Sequence, residues 1–205
     1  MPLTPPKLVI FDMDDVLLRY DPDARRAAMG EMSGKTAAEV RRLIWTSGIE
    51  SASDAGKLSI DAYLDAISTA LGIPFGRAEW ASTRGLAMHL DPEVVRLATA
   101  IKSRTRLALL TNNGHIMKEH FDVLVPGLRE IFGARMHVAA EFRTKKPDPT
   151  IYTKLLAIYG VTPHDGVMID DRRSNVEGAL AAGLRAHRFR NAEALEAYLT
   201  DLSLI

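Results

Sequence analysis

The chain has 205 residues, 47% apolar and 25% charged, which excludes a fibrous or disordered polymer and leaves room for one sizeable core, or a core with a smaller second module. Its 26 basic residues balance its 26 acidic ones, so no long-range field draws nucleic acid or an anionic membrane. With 0 cysteines there are no disulfides and no thiol chemistry, in keeping with a reducing cytoplasm.

The opening MPLTPPKLVIFD brings an acid a few residues after a short apolar run, with no small-residue cleavage site behind it, and no apolar stretch approaches bilayer length. A cytoplasmic protein without a membrane partner is the expectation. The basic pairs Arg25-Arg26, Arg41-Arg42 and Arg172-Arg173 read as solvated helix faces.

Leu8 to Phe11 (LVIF) is a continuous apolar run, the pattern of a strand covered on both faces, and it ends in Asp12, Asp14 and Asp15. About 70 residues then precede the next core helix, too many for a plain connection. They read as helices over Ala24–Met32, Thr36–Trp45 and Ser59–Leu71, the last carrying Ile60, Tyr63, Leu64, Ile67 and Leu71 on one stripe. Gly72-Ile73-Pro74 stops it, and a further helix starts near Arg77.

Asp91-Pro92-Glu93 has the form of an N-cap, a first-turn proline and a dipole-matched acid. The run LALL at Leu107–Leu110 predicts a second strand and leads to Thr111-Asn112-Asn113. MHVA at Met136–Ala139 predicts a third, followed by Lys145-Lys146-Pro147 and a helix begun by Asp148-Pro149 and stopped by Gly160. VMI at Val167–Ile169 predicts a fourth, ending in Asp170-Asp171, with a helix from Asn175 to Ala182 behind it. A weaker strand at Ala186–Phe189 and a helix capped by Asn191 complete the chain.

Strand alternating with helix implies an α/β fold, a three-layer Rossmann-like core around a parallel sheet, with a small α-helical module inserted. The expected division is a core of residues 1–18 and 90–205 and a helical cap of 19–89. Ligands of such sheets bind beyond the carboxyl ends of the strands, so the acids, the hydroxyl, the lysine and the second acids should converge on one rim. Singly, each has a plain reading: Asp-x-Asp as a turn, Thr111-Asn112 as a helix cap, Asp170-Asp171 as a helix N-terminus, Lys146 as a surface lysine. Their order along the chain is what makes them notable together.

FDMDDVL, LLTNN, KKPDPTIY and MIDDRRSNVEGALAAGL together resemble the four motifs of the haloacid dehalogenase (HAD) superfamily of hydrolases, in that family's order. The inserted module sits where members with a small helical (C1) cap carry it, and the form of the fourth motif is most similar to the sugar-phosphate phosphatases of the superfamily. The resemblance implies Mg²⁺-dependent hydrolysis of a small phosphorylated metabolite. Asp12 would be the nucleophile and Asp14 the general acid and base. Thr111, Asn112 and Lys146 would hold the phosphate. Asp12, the Asp14 carbonyl and Asp171 would hold the metal, with Asp170 ligating through water or orienting its neighbour, and Asn175 supporting Lys146.

Family members that dehalogenate resemble this chain at the nucleophile but lack the second aspartate, so Asp14 favours phosphate esters. A phosphomutase, a dehalogenase and a non-catalytic phosphate sensor or scaffold are the alternatives. A response-regulator receiver fits less well, because its acidic pair comes first and it lacks the insertion. Asp15 stands where members of the family most often have glycine, and reads either as a turn residue or as a further charge that tunes Asp14 or the metal. The resemblance favours Lys146 over Lys145, because the lysine of the family's motif typically abuts the proline. Arg19, Tyr20, Arg41, Trp45 and Lys57 are candidate contacts to the leaving group, each with an ordinary surface or core reading beside it, Trp45 as packed inside the cap. The resemblance leaves a monomer or homodimer open.

Overall fold

In the computed structural model, which describes residues 4–205, the first strand, β1 (Leu8–Phe11), is wholly buried. Alternate side chains serve opposite faces of a strand. Val9 and Phe11 join one apolar cluster and Leu8 and Ile10 the other, so the run is apolar throughout because both faces are covered.

Two short strands, β2 (Leu18–Tyr20) and β3 (Met88–Leu90), pair antiparallel where the chain leaves and rejoins the core. Between them lie five α-helices: α1 (Pro22–Ser33), α2 (Ala37–Val40), α3 (Ile49–Asp54), α4 (Ile60–Leu71) and α5 (Arg77–Gly85). The helix expected over Thr36–Trp45 is not uniform. After α2, with its Thr36–Glu39 capping box, the chain widens into a π-helical turn over Arg41–Thr46. β2, β3 and α3 carry no pattern long enough to have been read.

The core resumes with α6 (Pro92–Ile101), whose Asp91 side chain accepts from the Glu93 and Val94 amides as the sequence predicts. Then follow β4 (Arg106–Thr111), α7 (His115–Leu124), α8 (Leu128–Phe132), β5 (Met136–Val138), α9 (Pro149–Tyr159), β6 (Gly166–Asp170), α10 (Arg173–Ala181), β7 (Arg185–Arg188) and α11 (Ala192–Asp201). The sheet is parallel in the order β5-β4-β1-β6-β7. Residues of α6, α7, α8 and α11 cover one face, with α9 and α10 on the other, which completes the three layers.

The inserted helices rest directly on the core. Gly114, which begins α7, lies so close to Ser53 of α3 that a Cβ there would collide with the serine Oγ. Arg25 corrects the reading of its basic pair as solvated: it is 1% exposed, lies near the rings of Trp45 and Trp80, and its guanidinium pairs with Glu50 at 2.7 Å. Among the described residues no helix is long and apolar enough to cross a membrane.

Candidate active site

The parallel register places the carboxyl ends of β1, β4 and β6 side by side, with Phe11 opposite both Leu109 and Ile169. Asp12 follows Phe11 directly and Thr111 ends β4 one residue beyond Leu110, and both line one cavity of about 290 Å³. Its core side is lined by Asp12, Asp14, Thr111, Asn112 and Asn113, and its other side by Tyr20, Trp45, Glu50, Ser51, Asp54 and Arg84.

Asp12 is 6% exposed. Its Oδ1 accepts from the Met13 amide at 2.7 Å and pairs with Lys146 Nζ at 2.8 Å. Its Oδ2 has no hydrogen-bond partner among the described residues. The carboxylate is thus fixed through one oxygen and open through the other.

Lys146 is 2% exposed, and its ammonium also pairs with Asp170 Oδ2 at 2.7 Å. Of the two adjacent lysines the structure brings this one to the acids; Lys145 donates instead to Ser51 Oγ of α3 at 2.7 Å. Burial works against the Lys146 charge but is outweighed by Asp12 and Asp170, which hold it above the ordinary lysine range. Asn112 fixes the lysine backbone by two bonds, donating to its carbonyl at 2.8 Å and accepting from its amide at 2.9 Å. The Asn112 side chain is therefore committed to the loop and not free for a ligand. Gly178 on α10 completes this seat, because any Cβ there would collide with the Pro147 carbonyl oxygen.

Asp170 is wholly buried and saturated: besides Lys146 it accepts from Asn175 Nδ2 at 2.9 and 3.1 Å and from the Arg172 amide at 2.9 Å. It acts as the brace for Lys146, with Asn175 behind it. Asn175 is held in turn, its carbonyl accepting from the Tyr152 hydroxyl at 2.7 Å. Thr111 is 1% exposed and its Oγ1 accepts from Asn113 Nδ2 at 2.7 Å, which leaves the hydroxyl proton free to donate. The plain reading of Thr111-Asn112 as a helix cap is not what the structure holds, since α7 begins from Gly114.

Carboxylate oxygens of Asp12, Asp170 and Asp171 lie within 4.8 Å of one another. One lysine serves these three acids. Burial, ahead of the opposing pull of Lys146 and reinforced by Asp170, pushes the Asp12 carboxyl well above the usual range. Burial and then Asp170 also raise Asp171. Hard oxygen donors with a deficit of positive charge are what a divalent cation such as Mg²⁺ fits. Because Asp170 is saturated, Asp12 and Asp171 are the side chains available to it.

Asp14 faces the cavity with its side chain 24% exposed. Both its oxygens lie close to Arg84 Nη2 of α5, at 2.8 and 2.7 Å, and Asn113 Nδ2 reaches Oδ2 at 3.3 Å. Arg84 has no sequence signal, being 70 residues from its partner. Asp15 is an exposed turn residue with φ of 61°, a left-handed conformation that aspartate tolerates, and its Oδ1 accepts the Tyr20 amide at 3.1 Å. That explains both why glycine would fit there and why aspartate serves.

Of the candidate leaving-group contacts, Tyr20 and Trp45 line the cavity, whereas Arg19, Arg41 and Lys57 are exposed and do not. Glu50, Ser51 and Asp54 of α3 do so unforeseen. Glu50 is already engaged by Arg25 and by the Tyr63 hydroxyl. Asp54 accepts no hydrogen bond from the described residues, and burial followed by the nearby Glu50 raises its carboxyl well above the usual range.

A family model described as haloacid dehalogenase-like hydrolase matches residues 6–183. N-acylneuraminate-9-phosphatase of Rattus norvegicus is 33% identical over 108 residues, 52% of this chain and 43% of that protein, so the chain spans less than half the length of that relative. Phosphoserine phosphatase of Thermus thermophilus is 26% identical over 220 residues, 88% of this chain and 87% of that one. Among solved structures, a HAD family enzyme of Bacteroides thetaiotaomicron in complex with magnesium and inorganic phosphate shares the fold, with a TM-score of 0.78 and 16% identity over 90% of this chain and 94% of that one. With a family match that takes in most of its length, the chain belongs to the haloacid dehalogenase-like hydrolases.

Proposed function

We propose that this protein hydrolyses a small phosphate monoester through an aspartyl-phosphate on Asp12, with sugar phosphates as the leading substrate class. The observation that carries the reading is the Asp12 carboxylate, fixed at Oδ1 by Lys146 and the Met13 amide and bare at Oδ2 in the cavity. The phosphatase names of the relatives above support the same chemistry. In this reading residues 1–18 and 90–205 form the catalytic core and residues 19–89 the cap.

Phosphate monoesters hydrolyse so slowly that acceleration of up to ~10²¹-fold is required, and no single group provides that. Asp12 Oδ2 attacks phosphorus; a new P–O bond forms as the ester P–O bond breaks. Asp14 gives its proton to the departing alkoxide. It then takes a proton from water, whose oxygen attacks phosphorus and displaces the Asp12 carboxylate, releasing phosphate. Lys146 and the Thr111 hydroxyl oppose the negative charge of the phosphoryl oxygens.

Asp12, Asp171 and the Asp14 carbonyl would hold Mg²⁺. When bound, it supplies charge neutralisation at a phosphoryl oxygen, which lets one anion approach another. Asp14 disfavours the dehalogenase alternative, and a phosphomutase would return the phosphoryl group to its substrate.

The test is phosphate release from a panel of sugar phosphates, nucleotides and p-nitrophenyl phosphate, with Mg²⁺ or with EDTA, against Asp12→Asn. Release that needs Mg²⁺ and is absent from the variant is expected. No release from any ester, or release that persists in the variant, would overturn the reading.

A further inference from the structure

Arg84 is 2% exposed, in the cavity wall, on the second last residue of α5. Its guanidinium carbon stands 4.1 Å above the ring centre of Tyr20 in β2. Its Nη2 grips Asp14 at 2.8 and 2.7 Å, while its buried Nε has no partner among the described residues. Removing a guanidinium from water and leaving a donor unpaired is costly, and an apolar residue would fill a purely structural place at less cost. Among the described residues the one other group that hydrogen-bonds the Asp14 carboxylate is Asn113, at 3.3 Å and already engaged with Thr111.

We propose that Arg84 is the positioning residue of Asp14: from the inserted helices it sets where the proton donor stands relative to the leaving group, while the phosphate end is held by the core alone. This rests on the phosphatase reading and names a residue which that reading does not need. The side chain is stacked on Tyr20, and Tyr20 is tied through its amide to Asp15 at 3.1 Å, so the grip has a fixed reference in the loop that carries the catalytic acids. A shift of about 1 Å in a catalytic group costs on the order of 10²-fold in rate.

The consequence depends on the leaving group. An alkoxide needs a proton as the ester bond breaks, and p-nitrophenolate does not. Removing Arg84 should therefore penalise the first kind of ester and spare the second. Because kcat/KM reports only the steps through phosphoryl transfer to Asp12, it isolates this effect from the later attack of water.

The experiment compares kcat/KM for an alkyl or sugar phosphate and for p-nitrophenyl phosphate, in the presence of Mg²⁺, for the wild type, Arg84→Met, Arg84→Lys, Asp14→Asn and the Arg84→Met/Asp14→Asn pair. In Arg84→Met the alkyl ester should lose about tenfold to hundredfold and the nitrophenyl ester less than about threefold. Arg84→Lys should restore part of the loss. On the Asp14→Asn background, Arg84→Met should cost nothing further, since no proton donor remains to be placed.

Equal losses on both esters, or the same loss with and without Asp14, would overturn the assignment. Should Arg84→Met fail to fold, judged by its thermal melt, the ester ratio in Arg84→Lys decides in the same way. A wild type that turns over neither ester would remove the phosphatase reading itself, an outcome distinct from an unchanged ratio in an active enzyme.

Discussion

The two walls of the cavity are built on different principles. On the core wall Lys146 is anchored by Asn112, Asp170 by Asn175 and an amide, and Asp12 by its neighbour's amide. On the inserted wall charge is left unspent. Among the described residues Asp54 has no hydrogen-bond partner and one nitrogen of Arg84 is orphaned. In the proposed reading, the chemistry common to all phosphate esters falls to the anchored core wall and discrimination between them to the inserted one.

The largest expected effect breaks the core wall. Lys146→Met leaves Asp12 and Asp170 buried without their cation and should cost about 3–5 kcal/mol in urea unfolding, along with the activity. A loss below about 1 kcal/mol would show that this wall is not held by the ammonium. Gly178→Ala forces a Cβ onto the Pro147 carbonyl oxygen. Overpacking of this kind costs about 1–3 kcal/mol, and phosphate release should fall as Lys146 is displaced from Asp12.

The smallest effect has the opposite sign and sharpens the comparison. The Asp54 carboxyl is raised by burial and by Glu50, so the folded protein binds this proton more tightly than the unfolded chain does. Its stabilising influence is present at low pH and is lost as the pH rises through and above the unfolded value near ~4. Asp54→Asn removes that loss. At pH 7 the variant should be more stable, at the low end of about 0.5–2 kcal/mol, with the difference from wild type vanishing below about pH 4 in thermal melts. A destabilised variant would mean that Asp54 has a structural partner.

The same contrast explains what the sequence made legible. Strand-end residues announce themselves locally: an apolar run fixes the strand, and the polar group that follows must stand at the rim. Asp12, Thr111, the Lys145-Lys146 pair, Asp170 and Asp171 are legible in this way, whereas Asn175 and the choice of Lys146 come from the resemblance of the motifs alone. Arg84, Glu50 and Asp54 lie in helices whose local pattern is that of any amphipathic surface. Their contacts close only in three dimensions, across as many as 70 residues for Arg84.

Arg25 was misread for a related reason. A basic pair in a helix reads as solvated unless the aromatic rings and the carboxylate that receive it are known to be near. The three-residue strands β2 and β3 are too short to show a period. The π-helical turn after α2 has the same apolar spacing as the helix expected in its place.

The central claim is that the core wall performs phosphoryl transfer on its own through Asp12. The most direct test needs no leaving group: incubate the protein with ¹⁸O-labelled inorganic phosphate in ordinary water and follow loss of label by mass spectrometry. Reversible formation of the aspartyl-phosphate expels one phosphate oxygen as water on each cycle, so label should wash out with Mg²⁺ present, and should persist with EDTA or in Asp12→Asn. Retention of label by a wild-type protein that releases phosphate from esters under the same conditions would contradict the account.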